Sequence, residues 1–328
     1  PASQARISGS FLQPSLEYTA LSTQDWIESL RLLRAAGIDK VIVQWSASGE
    51  IAYFQPAPER YSQSFPMINR LLDAASQTGT EIVIGLTHDP SFWQNIETRP
   101  DVLDVYFRVR NTHNLRIQEA LLDAFDDQSA WTGYYLPEEI DDLNWREPDR
   151  EKELKQYLLR SGRILRDRDS ERTFSVSSFF RKRTAPSRYA TNIFDLIQGT
   201  ELERVWIQDG IGVEILSTPL IEPYYSELRR SFSGSNVDTG VIVELFEQVS
   251  GADEPFEAQS ALPARVERQI RDASMLSPEV FIFTFFDYAD PRKGERQQQI
   301  YELLKNLNAS GTDETVGTVA DDPSASEE

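Results

Sequence analysis

Short apolar runs rich in β-branched residues recur along this chain, and amphipathic segments fill most of the intervals between them. Several runs are continuously apolar, such as Val41–Val43 and Ile82–Ile84. Continuous runs of this kind are typical of strands that are buried on both faces of a parallel sheet. We predict strands at Arg6–Leu12, Lys40–Trp45, Glu81–Thr87, Gly133–Leu136, Thr173–Ser178, Arg204–Gln208, Gly240–Glu244 and Val280–Phe285.

The segments between the runs carry helix signals. Ser22 and Asp25 have the spacing of a capping box, and apolar residues then follow at helical intervals until Gly37. The next helical segment ends at Gly79 in the same way. Further amphipathic segments are expected at Ile117–Phe125, Glu153–Leu165 and Gln297–Leu307.

Eight strand-helix units predict an α/β chain folded as a single (β/α)₈ TIM barrel over residues 6–308. An open doubly wound sheet is less consistent with the sequence, because no glycine-rich nucleotide-binding loop follows the first strand. We predict that residues 1–5 form an N-terminal extension. Residues 309–328 are rich in Ser, Gly, Thr, Asp and Glu, and we expect a disordered acidic tail there.

Composition narrows the classes of partner. The chain has 328 residues, a net charge of −20 and a pI near 4.6, which argues against nucleic acid or an anionic membrane as a partner. The sequence has no long uncharged apolar run, so we expect no membrane span, and we expect a monomer. The start at Pro-Ala-Ser-Gln-Ala resembles a processed end, from which we expect a secreted or periplasmic protein.

The carboxyl ends of the predicted strands combine polar groups with aromatic rings. Barrels of this class keep their chemistry at this end of the strands. Sugars have an apolar ring face and a rim of hydroxyl groups, so a mouth lined in this way predicts a carbohydrate cleft and a carbohydrate substrate. The candidate substrate-binding residues are Gln13, Trp45, His88, Asp89, Trp93, Tyr135, Gln208, Glu247, Asp287 and Tyr288.

Two glutamates are the candidate catalytic pair. Glu139 follows the fourth predicted strand and Glu244 ends the seventh, so both carboxylates are expected at one mouth. Hydrolysis of a glycosidic bond requires two such groups, about 5–5.5 Å apart for retention and about 6.5–9.5 Å apart for inversion. Glu138 and Asp209 are candidate supporting residues, and Glu138 remains an alternative to Glu139 as the acid/base.

This placement resembles the clan A glycoside hydrolases, which are retaining (β/α)₈ enzymes. The resemblance implies that Glu139 is the acid/base and Glu244 the nucleophile. It covers about residues 6–305, and it departs from the clan at Glu138, where the clan usually has Asn. Four motifs also resemble an uncharacterised bacterial family of glycosidase-like barrels: Phe11-Leu-Gln13, Val41-Ile-Val-Gln-Trp45, Leu136-Pro-Glu-Glu-Ile-Asp141 and Gln208-Asp-Gly-Ile-Gly212.

The sequence therefore predicts a retaining glycoside hydrolase. A barrel that binds carbohydrate without turnover, and a lyase or metal-assisted hydrolase, remain as alternatives. We expect no cofactor and no metal, since His88 and His113 lie far apart in sequence without a matching set of ligands. The basic segment from Arg181 to Arg188 either contacts an acidic substrate or is a solvated loop.

Overall fold

The structure is a computed structural model, and it describes residues 5–213, 218–251 and 255–313. Parallel strands form a closed eight-membered barrel in which each strand pairs with its neighbours in sequence and the last pairs with the first. The barrel strands are β1 (Arg6–Leu12), β2 (Lys40–Val43), β3 (Glu81–Gly85), β4 (Trp131–Asp141), β5 (Thr173–Phe179), β6 (Arg204–Gln208), β7 (Asp238–Glu244) and β8 (Glu279–Phe283).

A long helix follows each barrel strand. These helices are α1 (Thr23–Ala35), α2 (Met67–Thr78), α3 (Pro100–Phe125), α4 (Pro148–Arg166), α5 (Pro186–Ile197), α6 (Thr218–Phe232), α7 (Pro263–Ala273) and α8 (Glu295–Asp313). The predicted capping box at Ser22 is present, and Gly79 ends α2 with a φ of 68°, a value that glycine adopts without penalty.

Shorter elements lie in the segments that follow the carboxyl ends of the strands. They are the helices Leu16–Thr19, Phe92–Ile96 and Phe285–Tyr288, a four-stranded sheet of Ala47–Ser48, Ile51–Ala52, Gln63–Ser64 and Thr87–His88, and a two-stranded sheet of Phe246–Gln248 and Ala258–Ser260. None of the short helices was predicted.

The prediction of a (β/α)₈ barrel is confirmed, and β1 and β6 have the predicted bounds. The largest difference is in β4, which continues to Asp141 instead of ending at Leu136. Helix α8 continues to Asp313, past the predicted domain end at residue 308. The rest of the predicted tail, residues 314–328, and residues 1–4 of the predicted extension lie outside the described part of the chain.

Side chains fill the barrel interior. The cluster there consists of Phe11, Ile42, Tyr135, Trp206, Ile242 and Phe281. A larger core, which includes the buried Trp26 and Trp131, lies between the strands and the helices. Gly240 is required for this packing, because a Cβ at that position would lie 2.2 Å from the Trp206 ring. The barrel interior is thus a packed core without room for a ligand.

Candidate active site

A cleft of about 510 Å³ opens at the carboxyl ends of the strands. Glu139 from β4 and Glu244 from β7 both line it. Several of the predicted substrate-binding residues line it as well, namely Gln13, Trp45, His88, Asp89, Trp93 and Gln208. Residues at the ends of strands that lie far apart along the chain therefore line one cleft.

The two neighbouring glutamates of β4 have opposite environments. Side chains alternate between the faces of a strand, so Glu138 and Glu139 point in opposite directions. Glu138 points to the helical layer, where Arg110 of α3 donates to its Oε1 at 2.7 Å and 2.8 Å. Glu139 points into the cleft and is half-buried. Of the two glutamates, Glu139 lines the cleft and Glu138 does not.

An irregularity in β4 lifts Glu139 to the mouth. Leu136 is paired with Val176 and Ile140 with Ser178, so the chain from 136 to 140 is longer than the segment of β5 that it faces. Pro137 lies at this point in the sequence, but the sequence does not predict how many extra residues the bulge contains. Glu139 consequently lies within a strand that continues to Asp141, at a position where we predicted a loop.

Glu139 has a polar partner from β6. The Gln208 amide donates to Glu139 Oε1 at 2.7 Å, and its nitrogen also lies 3.4 Å from the hydroxyl oxygen of Ser177. Burial raises the pKa of Glu139, the Gln208 hydrogen bond opposes this rise, and the charge of Asp141 adds to it. The carboxyl group is thus biased toward its protonated form, as a general acid requires.

Glu244 forms a buried pair with Asp209. Its Oε2 accepts hydrogen bonds from the backbone N–H groups of Gly212 at 2.6 Å and Val213 at 3.3 Å. Its own N–H donates to Asp209 Oδ1 at 3.4 Å, while Gln269 donates to Asp209 Oδ2 at 2.6 Å. Burial and the adjacent Asp209 charge raise the pKa of Glu244 to about 8, and burial raises the pKa of Asp209 to about 6.

Aromatic rings form the walls of the cleft. Trp45 stacks on His88 with ring centroids 4.4 Å apart and an interplanar angle of 18°. On the β5 side the Arg181 guanidinium lies 5.5 Å from the Trp93 ring centroid, and Arg181 itself lines the cleft. Of the two readings of the basic segment, the structure thus supports cleft contact for Arg181. Tyr135 and Tyr288, the other two aromatic residues among the predicted substrate-binding residues, are not part of these walls.

Four predicted substrate-binding residues lie outside the cleft lining. Tyr135 belongs to the packed barrel interior, where its hydroxyl pairs with Ser177 at 2.6 Å. Glu247 lies on the two-stranded sheet, within 3.5 Å of the Gln259 amide. Asp287 accepts a hydrogen bond from Tyr18, and Tyr288 packs against Phe246, with centroids 5.5 Å apart. The last two were misplaced because β8 ends at Phe283, earlier than predicted.

The sequence analysis missed several residues that line the cleft. They are Gln44, Pro90, Phe92, Pro137, Phe179, Gly210, Val213, Phe246, Phe256 and Phe283. Phe179 and Phe283 end barrel strands, so an earlier boundary for β8 would have identified Phe283. Phe256 is exposed and packs on Phe246 with centroids 5.6 Å apart. No local signal marks it, since it comes from a loop that the two-stranded sheet brings to the cleft.

Within 5–213, 218–251 and 255–313, no three His, Cys, Asp or Glu side chains are grouped as metal ligands would be. In the same ranges, no helix combines the length and apolar character that crossing a bilayer requires.

Residues 7–295 match the sequence model of a protein family described as a domain of unknown function, DUF4434. The chain belongs to this family. It is also 26% identical over 278 residues to the uncharacterized protein YbcH of Escherichia coli K12. This match covers 85% of this chain and 89% of YbcH.

Solved structures share the fold. A proposed α-L-fucosidase from Bacteroides thetaiotaomicron superimposes with a TM-score of 0.76 and 14% identity, over 94% of each chain. The GH99 endo-α-mannosidase of the same organism gives a TM-score of 0.53 and 9% identity, over 89% of this chain and 80% of the mannosidase. At such identities the likeness establishes the barrel fold and does not establish an activity.

Proposed function

We propose that this protein is a retaining glycoside hydrolase that cleaves a polysaccharide or oligosaccharide with Glu139 and Glu244. The observation that supports the proposal is that both carboxyl groups line one cleft at the barrel mouth, between aromatic walls. Two carboxyl groups and ring-stacking surfaces are what hydrolysis of a glycosidic bond requires. Barrels that superimpose on this one include proteins described as a fucosidase and a mannosidase.

Each residue of the pair has a defined role in the proposed reaction. The protonated Glu139 carboxyl gives its proton to the leaving oxygen while Glu244 attacks the anomeric carbon, and the glycosidic bond breaks as the glycosyl-enzyme bond forms. Water then displaces Glu244 and loses its proton to Glu139. Asp209 is a positioning residue, because it accepts the N–H of Glu244 and touches no cleft space.

One observation favours a second assignment, in which the two roles are exchanged. The pKa of Glu244 is raised to about 8, so in the free protein this carboxyl holds a proton at neutral pH, as a general acid does. Its Oε2 oxygen is held by backbone N–H groups, which leaves Oε1 as the oxygen that can carry the proton.

Incubation with a panel of glycans, followed by mass spectrometry and a reducing-end assay, tests the proposal. We expect Glu139→Gln and Glu244→Gln each to lower turnover by about 10²–10⁴-fold, since each removes a group that transfers a proton or attacks carbon. Glu247→Gln is the matched control, because it removes a carboxylate near the end of β7 that lies outside the cleft lining. Near wild-type turnover in either cleft variant would contradict the proposal.

The anomeric configuration of the product distinguishes retention from inversion, and rescue of alanine variants by azide distinguishes the roles of the two glutamates. Proton NMR of the first-formed anomer should show retention, whereas inversion would exclude the double displacement. With an activated substrate and azide, Glu139→Ala should give a glycosyl azide of retained configuration and Glu244→Ala one of inverted configuration. The opposite pair of products would establish the exchanged assignment. Wild-type protein that binds a glycan and releases no product would instead indicate a binding barrel.

A further inference from the structure

A second chamber of about 300 Å³ lies beside the cleft. His88, Asp89 and Pro90 line both spaces, so the chamber and the cleft share one wall. The opposite side of the chamber comes from α3 and from the segment that contains Arg60 and Tyr61. The two histidines of the chain, at positions 88 and 113, both line it.

The chamber presents hydrogen-bond donors that have no partner. Arg110 is only 4% exposed, and its Nε and Nη2 atoms bind Glu138 and the Thr87 carbonyl. Among the described residues, no group accepts from its Nη1 atom, and Arg110 lines the chamber. The Tyr61 hydroxyl, on a side chain that is 9% exposed, likewise has no hydrogen-bond partner in the described ranges.

The carboxylate of the chamber, Asp89, already accepts three hydrogen bonds. Asp89 Oδ2 accepts from the Tyr106 hydroxyl at 2.7 Å and from the Asn95 amide at 2.8 Å. Asp89 Oδ1 accepts from the N–H of Ser91 at 2.9 Å. Since buried donors need acceptors and the wall supplies few, a ligand that fills this space should contribute acceptor oxygens.

The charges of the wall limit the charge of the ligand. The buried ion pair with Glu138 offsets the charge of Arg110. The other charged groups of the lining are Arg60, whose guanidinium lies 4.9 Å from the Tyr61 ring centroid, and the Asp89 carboxylate. Burial and the charges of Arg60, Arg110 and Arg116 lower the pKa of His113 to about 4, while the charge of Asp89 opposes them, as expected where the local potential at His113 is positive. Because Asp89 already contributes one negative charge beside the cations, one added negative charge suits this arrangement better than two.

We propose that the chamber binds a monoanionic substituent of the glycan, a uronate carboxylate or a sulfate ester, next to the cleft that holds the sugar chain. Arg60 supplies the opposing charge, and Arg110 Nη1 and the Tyr61 hydroxyl donate to the oxygens of the substituent. The inference that the substrate is an acidic glycan rests on the proposed function. Binding of the anion to the chamber does not depend on the proposed function, because it can be measured without turnover.

Four monosaccharides with one ring scaffold form a matched set of probes: glucose, glucuronate, glucose 6-sulfate and glucose 6-phosphate. The two histidines give two Cε1–H signals in proton NMR, and both report on the chamber. Glucuronate or glucose 6-sulfate should shift the His113 signal saturably at pH 7 and should raise the pKa of His113 when bound. The probe that responds identifies which of the two anions the chamber accepts.

Variants connect the response to named residues. Arg60→Gln should weaken anion binding about tenfold and Tyr61→Phe severalfold, because each removes a donor to a charged group. Arg60 is exposed, so this variant should fold normally, and Arg31→Gln removes the same charge from an exposed site outside the chamber lining.

The inference is overturned if neither monoanion shifts the His113 signal, if glucose or glucose 6-phosphate binds as well as the monoanions do, or if Arg60→Gln binds like wild type. Loss of hydrolysis in the cleft variants bears only on the proposed function. Anion binding that persists without any glycan hydrolysis would retain the chamber and reject the enzyme.

Discussion

At the scale of single residues, the distinctive feature is a buried carboxyl group that is costly to ionise. Glu244 is 5% exposed and lies beside Asp209, which is 1% exposed. Two neighbouring carboxyl groups that are this deeply buried cannot both ionise without a large penalty in free energy. The pair therefore retains a proton at pH values where exposed carboxyl groups have lost theirs. Such groups are typical of functional sites, where stability is lost to place a reactive group.

Glu244 should therefore make the fold less stable as pH rises. The unfolded chain loses this proton near pH 4.5 and the folded chain near pH 8, so folding takes up a proton between those values. The free energy of unfolding should fall across this window, and Glu244→Gln should reduce that fall and stabilise the protein at pH 8 by about 2–4 kcal/mol, while Asp209, whose pKa is raised to about 6, accounts for the rest.

Urea denaturation between pH 5 and pH 8 measures this effect. Glu247→Gln is the control, since that side chain lies on the two-stranded sheet outside the cleft lining. A wild-type stability that is flat across the window, or a Glu244→Gln variant with the wild-type slope, would show that Glu244 ionises normally.

At the scale of elements, β4 decides which chemistry reaches the cleft. The period of two along the strand places Glu138 against α3 and Glu139 in the cleft, and the bulge between Leu136 and Ile140 moves the second glutamate to the mouth. The same helix contributes Arg110, which binds Glu138 and lines the chamber. One strand and one helix thus connect the cleft, the chamber and the core.

Substitution of the two neighbouring glutamates by alanine should give very different stabilities. Glu138→Ala leaves the Arg110 guanidinium buried without its counter-ion, and we expect a loss of about 3–5 kcal/mol. Glu139→Ala removes a half-buried group whose ionisation is already disfavoured, and we expect a change below about 1 kcal/mol. Chemical denaturation compares them, and equal losses would mean that β4 has a different register.

At the scale of the whole molecule, the side chain of Asn308 links the last helix of the barrel to its first strand and first helix. Asn308 of α8 donates from its Nδ2 to the carbonyls of Ile7 and Ala36, each at 2.9 Å, and its Oδ1 accepts the N–H of Ile7 at 3.0 Å. These contacts connect the last helix to β1 and to the end of α1. They complete the closure that the pairing of β1 with β8 begins.

Asn308→Ala should weaken this closure. It leaves the N–H of Ile7 without its acceptor, and we expect a loss of about 1–3 kcal/mol in the free energy of unfolding. Asn306→Ala, in the same helix at an exposed position, is the matched control. Amide hydrogen exchange should show the loss of protection at β1 first, and unchanged protection there would contradict the role of Asn308.

The sequence by itself determined the barrel and the residues at its mouth. Apolar runs and caps are local consequences of burial and of backbone hydrogen bonding, so the strand order, the capping box at Ser22 and the cleft positions of Glu139 and Glu244 could be predicted. Only the tertiary structure decided which of two adjacent glutamates faces the cleft, that Tyr135 lies in the packed interior, that Arg110 lines the chamber and that Phe256 lines the cleft. Those outcomes depend on a bulge, on strand length and on loops, which are set by contacts between distant segments and leave no local pattern.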